Sequence, residues 1–198
     1  FANYDSDTNN LDDIFCFNIF KNTSDITPPL DITLGQIVTG FNSQYATSYD
    51  IDDDTDIDIV ATGIAGTASL VLPNLSSGAG SFSWGGGIVA AGDSTGEKLP
   101  LVLKDFNLDG LMDILSPNKA GSSKVSKNTS TNSGPFQGTP SFDTAGAVSL
   151  TGPLVFATPI VEDISGDGLH DIILPDQNGD TKIYKNTTNT ASPSNPLA

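Results

Sequence analysis

The chain has no arginine, only eight lysines and one histidine, and 24 acids, for a net charge of −16 over 198 residues. Recognition of a phosphate backbone needs a cationic patch, so a nucleic-acid partner is excluded. The single cysteine, Cys16, rules out an intrachain disulfide. It lies in the apolar run Ile14–Phe20 and reads as a small buried hydrophobe, because a reactive thiol wants an exposed electropositive setting. No apolar run approaches the ~18 residues of a helical membrane span, and no helical periodicity lasts beyond two turns. Catalytic side chains are equally scarce. A Ser-His-Asp triad would have to use His170, whose neighbours are more simply read as metal ligands, and nothing pairs Glu97 with Glu162 as a glycosidase would need. No glycine-rich phosphate loop with lysine is present. The expectation is a protein without catalytic residues.

What is abundant is aspartate: 22 of the 24 acids are Asp. A generally acidic surface would use glutamate as freely, whereas short carboxylates suit tight turns, where they bond their own backbone. Most of the Asp fall in a nine-residue loop that recurs four times, at Asp5–Asp13 (DSDTNNLDD), Asp50–Asp58 (DIDDDTDID), Asp105–Asp113 (DFNLDGLMD) and Asp163–Asp171 (DISGDGLHD). Carboxylates so placed repel one another unless a cation sits among them. Alternate residues of a turn can aim their oxygens at one centre, which suits a hard ion with six to eight oxygen ligands, most simply Ca²⁺. Positions 1, 3, 5 and 9 offer side chains and position 7 a backbone carbonyl. The candidate ligands are Asp5, Asp7, Asn9, Leu11 and Asp13; Asp50, Asp52, Asp54, Asp56 and Asp58; Asp105, Asn107, Asp109, Leu111 and Asp113; and Asp163, Ser165, Asp167, Leu169 and Asp171. About four Ca²⁺ sites are expected. The sharp turn at position 6 wants positive φ, which Gly110 and Gly168 provide, Asn10 tolerates and Thr55 resists. Ser165, a neutral ligand, makes the fourth loop the weakest. An EF-hand is excluded, because its bidentate Glu at position 12 would fall on Cys16, Ala61, Ser116 or Leu174.

Each loop runs into a short apolar strand, and a second strand follows and ends in asparagine: Phe17–Asn22, Ser69–Asn74, Ser123–Asn128 and Thr181–Asn186. Asn178-Gly179 is a hairpin signal between two of them. Loop spacings of 45, 55 and 58 residues mark a repeat architecture. The repeats run approximately 1–44, 45–98, 99–156 and 157–186, with a Pro/Ser/Asn-rich tail at 187–198. In the first repeat Asn22 follows Asp13 by only nine residues, so the hairpin after the loop is expected to be missing or replaced by one long strand. The chain reads as all-β, one repeat domain. Asn22, Asn74, Asn128 and Asn186 each open an Asn-x-Ser/Thr sequence, which is either a glycan acceptor or, preferably, a strand cap. Trp84 is read as packing rather than as a sugar platform. His170 is expected at the surface.

The Asp-x-Asp/Asn-x-Asp-Gly-x-x-Asp-Ile pattern, sharpest in DFNLDGLMDIL and DISGDGLHDII, and the later strand ending in Asn resemble the FG-GAP/VCBS repeats of integrin α-chain propellers and of bacterial and fungal surface proteins. The resemblance spans nearly the whole chain and is looser in the first two loops. It implies four propeller-blade-like antiparallel repeats with Ca²⁺ between the first two strands of each. Four repeats are few for a seven-bladed ring, so a closed ring, a sandwich or barrel, and completion by another copy all stay open. A chain starting at Phe1 reads as a processed chain or an excerpt. The expected role is a secreted, extracellular or cell-surface calcium-binding protein without catalysis, acting in adhesion or self-assembly as a surface or fibre subunit or adhesin segment. Its partners are expected to be further copies of itself or another extracellular protein or glycan. A lectin-like module, and an accessory domain of a larger secreted enzyme, are the alternatives.

Overall fold

The computed structural model describes residues 17–22, 32–38, 43–63, 68–76, 83–91, 99–130, 140–151, 155, 157–176 and 178–188, the first two segments by backbone alone. Among them are thirteen strands and no helix. β1 (Phe17–Asn22) pairs with β2 (Ile32–Val38). β3 (Ser43–Tyr49), β4 (Asp58–Gly63), β5 (Ser69–Leu72) and β6 (Ile88–Ala91) form a four-stranded sheet in chain order. β7 (Val102–Lys104), β8 (Asp113–Ser116), β9 (Ser123–Asn128) and β10 (Phe142–Leu150) form the next. β11 (Ile160–Glu162), β12 (Asp171–Pro175) and β13 (Thr181–Tyr184) form the last. Every pairing is antiparallel between chain neighbours. Each sheet is therefore a meander, and no strand order among the described residues closes a barrel.

The acidic loops Asp50–Asp58, Asp105–Asp113 and Asp163–Asp171 connect the first two strands of their sheets. Glycine, aspartate and asparagine in these nine residues break the period-2 pattern, which resumes at the last Asp. The β12–β13 hairpin turns at Asn178-Gly179, with Gly179 at φ 92° and its N–H donating to the Asp176 carbonyl over 3.1 Å. Third strands start where the sequence places them. In the second repeat Trp84 makes an isolated bridge to Asn74, and the fourth strand is β6. In the third repeat the fourth strand is the long β10, with a register shift between Asp143 and Val148.

Successive side chains of a strand face opposite sides, and both sides of the middle sheets are used. On β4 and β5, Ile59, Ala61, Leu70 and Leu72 face one way, with Trp84 against them. Val60 and Val71 face the other way and meet Leu101, Leu103 and Ile114 of the next sheet. On that sheet Leu115, Val125 and Leu150 turn to the far side and meet Ile172 and Leu174, flanked by Val161 and Tyr184. The three sheets thus stack in chain order. Each such buried aliphatic side chain is worth roughly 1.5–3 kcal/mol.

A polar clamp ties each stacked pair together. Asn128, at the end of β9, donates its side-chain amide to the Ile51 carbonyl in the preceding sheet's loop (2.9 Å) and to the Met112 carbonyl in its own (3.0 Å). Asn186, just past β13, donates in the same way to the Phe106 carbonyl (2.8 Å). Ile51 and Phe106 both occupy position 2 of their loops, and both are sealed beneath the following sheet at 1% and 0% exposure.

Candidate metal centre

Each described loop is closed by the same hydrogen bonds. The first Asp accepts backbone N–H groups from positions 5 and 6: Asp50 from Asp54 and Thr55, Asp105 from Asp109 and Gly110, Asp163 from Asp167 and Gly168. The fifth-position Asp accepts from position 7. The last Asp accepts from position 2 through one oxygen (2.9–3.1 Å) and from the third-strand Asn through the other (2.8 Å in all three). The aspartates therefore hold the loop's shape as well as lining it, a double duty that spacing alone does not reveal. Positive φ falls at position 6 (Thr55, Gly110, Gly168), as expected, and also at position 4 (Asp53, Leu108, Gly166), which was not anticipated.

The loops differ at their centres. In the second loop, carboxylate oxygens of Asp50, Asp52 and Asp58 lie within 4.8 Å of one another, and among the described residues this is the one group of three or more acids that could hold a metal ion. Ligand oxygens 2.3–2.6 Å from a shared ion can be at most about 5 Å apart, so the three fit one coordination sphere. Asp52 is 1% exposed and neither of its carboxylate oxygens has a hydrogen-bond partner. Leaving such a group buried and unanswered is costly. Burial, then the charges of Asp58, Asp54 and Asp50, push the Asp52 carboxyl up to about 7. Burial pushes Asp58 up to about 6 against its two backbone donors.

In the third and fourth loops position 3 is neutral. The Asn107 amide donates to Asp109 over 3.0 Å, and Ser165 gives its backbone N–H to Asp171. A lysine answers position 5 in each: Lys127 lies 3.0 Å from Asp109 and Lys185 3.3 Å from Asp167. Both open a Lys-Asn-Thr triplet that recurs in the sequence at Lys21–Thr23, Lys127–Thr129 and Lys185–Thr187. In the second repeat the matching residue is Pro73, so no lysine stands at that position. The recurring triplet was the legible signal for these pairs. Burial raises Asp113 to about 7, whereas the Asn186 N–H above all holds Asp171 low, and the Leu169 N–H, helped by Lys185, lowers Asp167.

Of the candidate ligands, Asp5, Asp7, Asn9, Leu11 and Asp13 lie outside the described residues, as do Cys16 and Glu97. The amide nitrogens of Asn128 and Asn186 are consumed by the clamps within fully buried side chains, so the folded chain does not present them to a glycosylating enzyme. Trp84 is half-buried against the cluster of Ala61 and Leu72. His170, expected at the surface, is half-buried, because the chain turns into β12 directly after it. No helix among the described residues is long and apolar enough to cross a membrane. In comparisons with known proteins, the chain matches no family model, no curated protein and no solved structure.

Proposed function

We propose that the chain is an extracellular, non-catalytic calcium-binding repeat protein that serves adhesion or self-assembly. The observation that carries this reading is the buried, unpartnered Asp52 carboxylate converging with Asp50 and Asp58. A divalent cation is the simplest partner that answers all three. Carboxylate and carbonyl oxygens favour a hard ion, and a flexible loop with several carboxylates favours Ca²⁺ over the stricter octahedron of Mg²⁺. Asp50, Asp52 and Asp58 would hold the ion, with Asp54 and the Asp56 carbonyl at the rim. The third and fourth loops are secondary sites, where Ca²⁺ has to displace Lys127 or Lys185 from a carboxylate. Stacked blade-like sheets resembling FG-GAP/VCBS repeats fit a structural role for the ion. The half-buried setting of Trp84 favours this reading over a lectin whose sugar stacks on that ring.

Calorimetric titration of the metal-free chain with Ca²⁺ at pH 8 tests the proposal. At least one site should bind, and Asp52→Asn should weaken that site by at least 10-fold. Absence of binding at millimolar Ca²⁺ would overturn it.

A further inference from the structure

Two of the three converging carboxylates of the second loop, Asp50 and Asp52, flank Ile51. The three are aimed in different ways. Asp50 is braced by the N–H groups of Asp54 and Thr55, and Asp58 by those of Ile51 and Asn74. Asp52 accepts no hydrogen bond at either oxygen, although it is 1% exposed. Its direction is therefore set by the backbone that carries it. The Ile51 carbonyl and the Asp52 N–H belong to one rigid peptide plane. Whatever holds that carbonyl orients the start of Asp52 and the line along which its side chain leaves.

The Ile51 residue is held from three sides. Asp58 Oδ2 accepts its N–H over 2.9 Å. Its side chain is sealed at 1% exposure in one cluster with Leu103 and Ile114 of the following sheet. Its carbonyl accepts the Asn128 side-chain amide, at the end of β9, over 2.9 Å. Asn128 is itself fixed by its own sheet. Its amide also donates to the Met112 carbonyl (3.0 Å), its Oδ1 accepts the Ser130 N–H (2.9 Å), and its backbone N–H donates to Asp113 Oδ1 (2.8 Å). A rigid group in one sheet thus grips the peptide that carries a carboxylate in the sheet before it.

We infer that Asn128 is a positioning residue for the calcium site of the preceding sheet: through the Ile51 carbonyl it aims the Asp52 carboxylate at the point shared with Asp50 and Asp58. Resting on the calcium reading proposed above, this makes the ion a link between two sheets rather than the filling of one loop. Groups one step removed from a metal ligand change affinity by about 10–100-fold when they are lost. The coupling is reciprocal: an ion that binds more tightly because the joint is closed holds the joint closed by the same factor.

Calorimetric titration of the full chain with Ca²⁺ at pH 8 tests it, the second-loop site being the one that Asp52→Asn weakens. Asn128→Ala should weaken that site about 10-fold. Asn186→Ala removes the equivalent clamp one joint further on, at the Phe106 carbonyl, and should leave the second-loop affinity within about 2-fold. A loss of stability alone would move both variants alike, so the split between them reads positioning. Hydrogen exchange reads the reciprocal effect with the clamp intact. Ca²⁺ should slow exchange along β9 and at Ser130 in the wild type, and less so in Asp52→Asn. If Asn128→Ala lacks the wild-type β signal by circular dichroism, that comparison decides, and equal slowing in wild type and Asp52→Asn would overturn the inference. Unchanged second-loop affinity in Asn128→Ala, or an equal loss in Asn186→Ala, would overturn the positioning role while leaving the calcium reading standing. A wild-type chain that binds no Ca²⁺ at millimolar concentration would overturn both.

Discussion

Replacing Asp52 by asparagine should stabilise the metal-free protein and nearly abolish the stabilisation that calcium brings through the second loop. The ionised Asp52 carboxylate is buried without a partner, and its pKa stands at about 7 against an ordinary 3.8. At pH 8 the group is charged in both folded and unfolded chains, so the folded state alone carries the cost. A shift of about 3 units corresponds to about 4 kcal/mol at 1.36 kcal/mol each. Relaxation of the loop and water penetration around a buried charge reduce this to about half, about 2 kcal/mol. Asparagine keeps the size and removes the charge, so Asp52→Asn should raise metal-free stability by about 2 kcal/mol, or about 4–8 °C in Tm for a chain of this length. With Ca²⁺ at 100 times the dissociation constant, the second loop should add about 2.7 kcal/mol to the wild type. A 100-fold weaker site would leave about 0.4 kcal/mol of that gain. Urea denaturation in chelator and in calcium reads both numbers. A variant less stable than wild type in chelator, or one with an undiminished calcium gain, would refute the reasoning.

Thr55 occupies a left-handed turn position at φ 78° with a β-branched side chain, where the other two described loops have glycine. Thr55→Gly should therefore stabilise the chain by about 1 kcal/mol, the relieved strain exceeding the added chain entropy, as measured by thermal denaturation. Asn128→Ala strands the Ile51 and Met112 carbonyls and the Ser130 N–H at a buried joint. It should cost about 2–4 kcal/mol, seen as a lower urea midpoint at unchanged slope. In the absence of metal, Asp52, Asp58 and Asp113, with folded pKa values of about 7, 6 and 7, bind protons more tightly folded than unfolded. Their contribution is fully present below about pH 4 and is lost as pH rises toward 7. Asp167 and Asp171 are held low and act oppositely, losing their stabilisation as pH falls below about 4. The metal-free Tm should thus peak in mildly acid solution and decline toward pH 8. In millimolar Ca²⁺ it should instead rise over that range, because the ion requires deprotonated carboxylates.

Much of this architecture is legible in the residues. The Asp-bounded loops, the apolar pair after each and the strands ending in Asn map onto β4–β5, β8–β9 and β12–β13, because alternation and turn chemistry are local signals. Stacking order is less visible, since Ile114 and Leu115 look alike in sequence but face different sheets. The quality of the metal centre is hidden for the same reason. By resemblance DFNLDGLMD is the better calcium loop, yet Asn107 and Lys127 satisfy its acids internally. The less regular DIDDDTDID, followed by Pro73 instead of lysine, leaves a carboxylate without an answer. Whether an acid is already neutralised depends on a residue eighteen positions away across a hairpin, as Lys127 is from Asp109 and Lys185 from Asp167, beyond the reach of any loop pattern.

The asparagine clamps join residues 77 and 80 positions apart. Hairpins within a sheet close over short stretches of chain, so they form fast. A clamp must wait until two complete sheets exist, one of them with its acidic loop already folded so that the position-2 carbonyl is in place. High contact order makes such steps slow. Folding should therefore advance by sheets, each finished loop acting as the template on which its successor docks. An ion captured early by Asp50, Asp52 and Asp58 would set the pace for everything that follows along the chain.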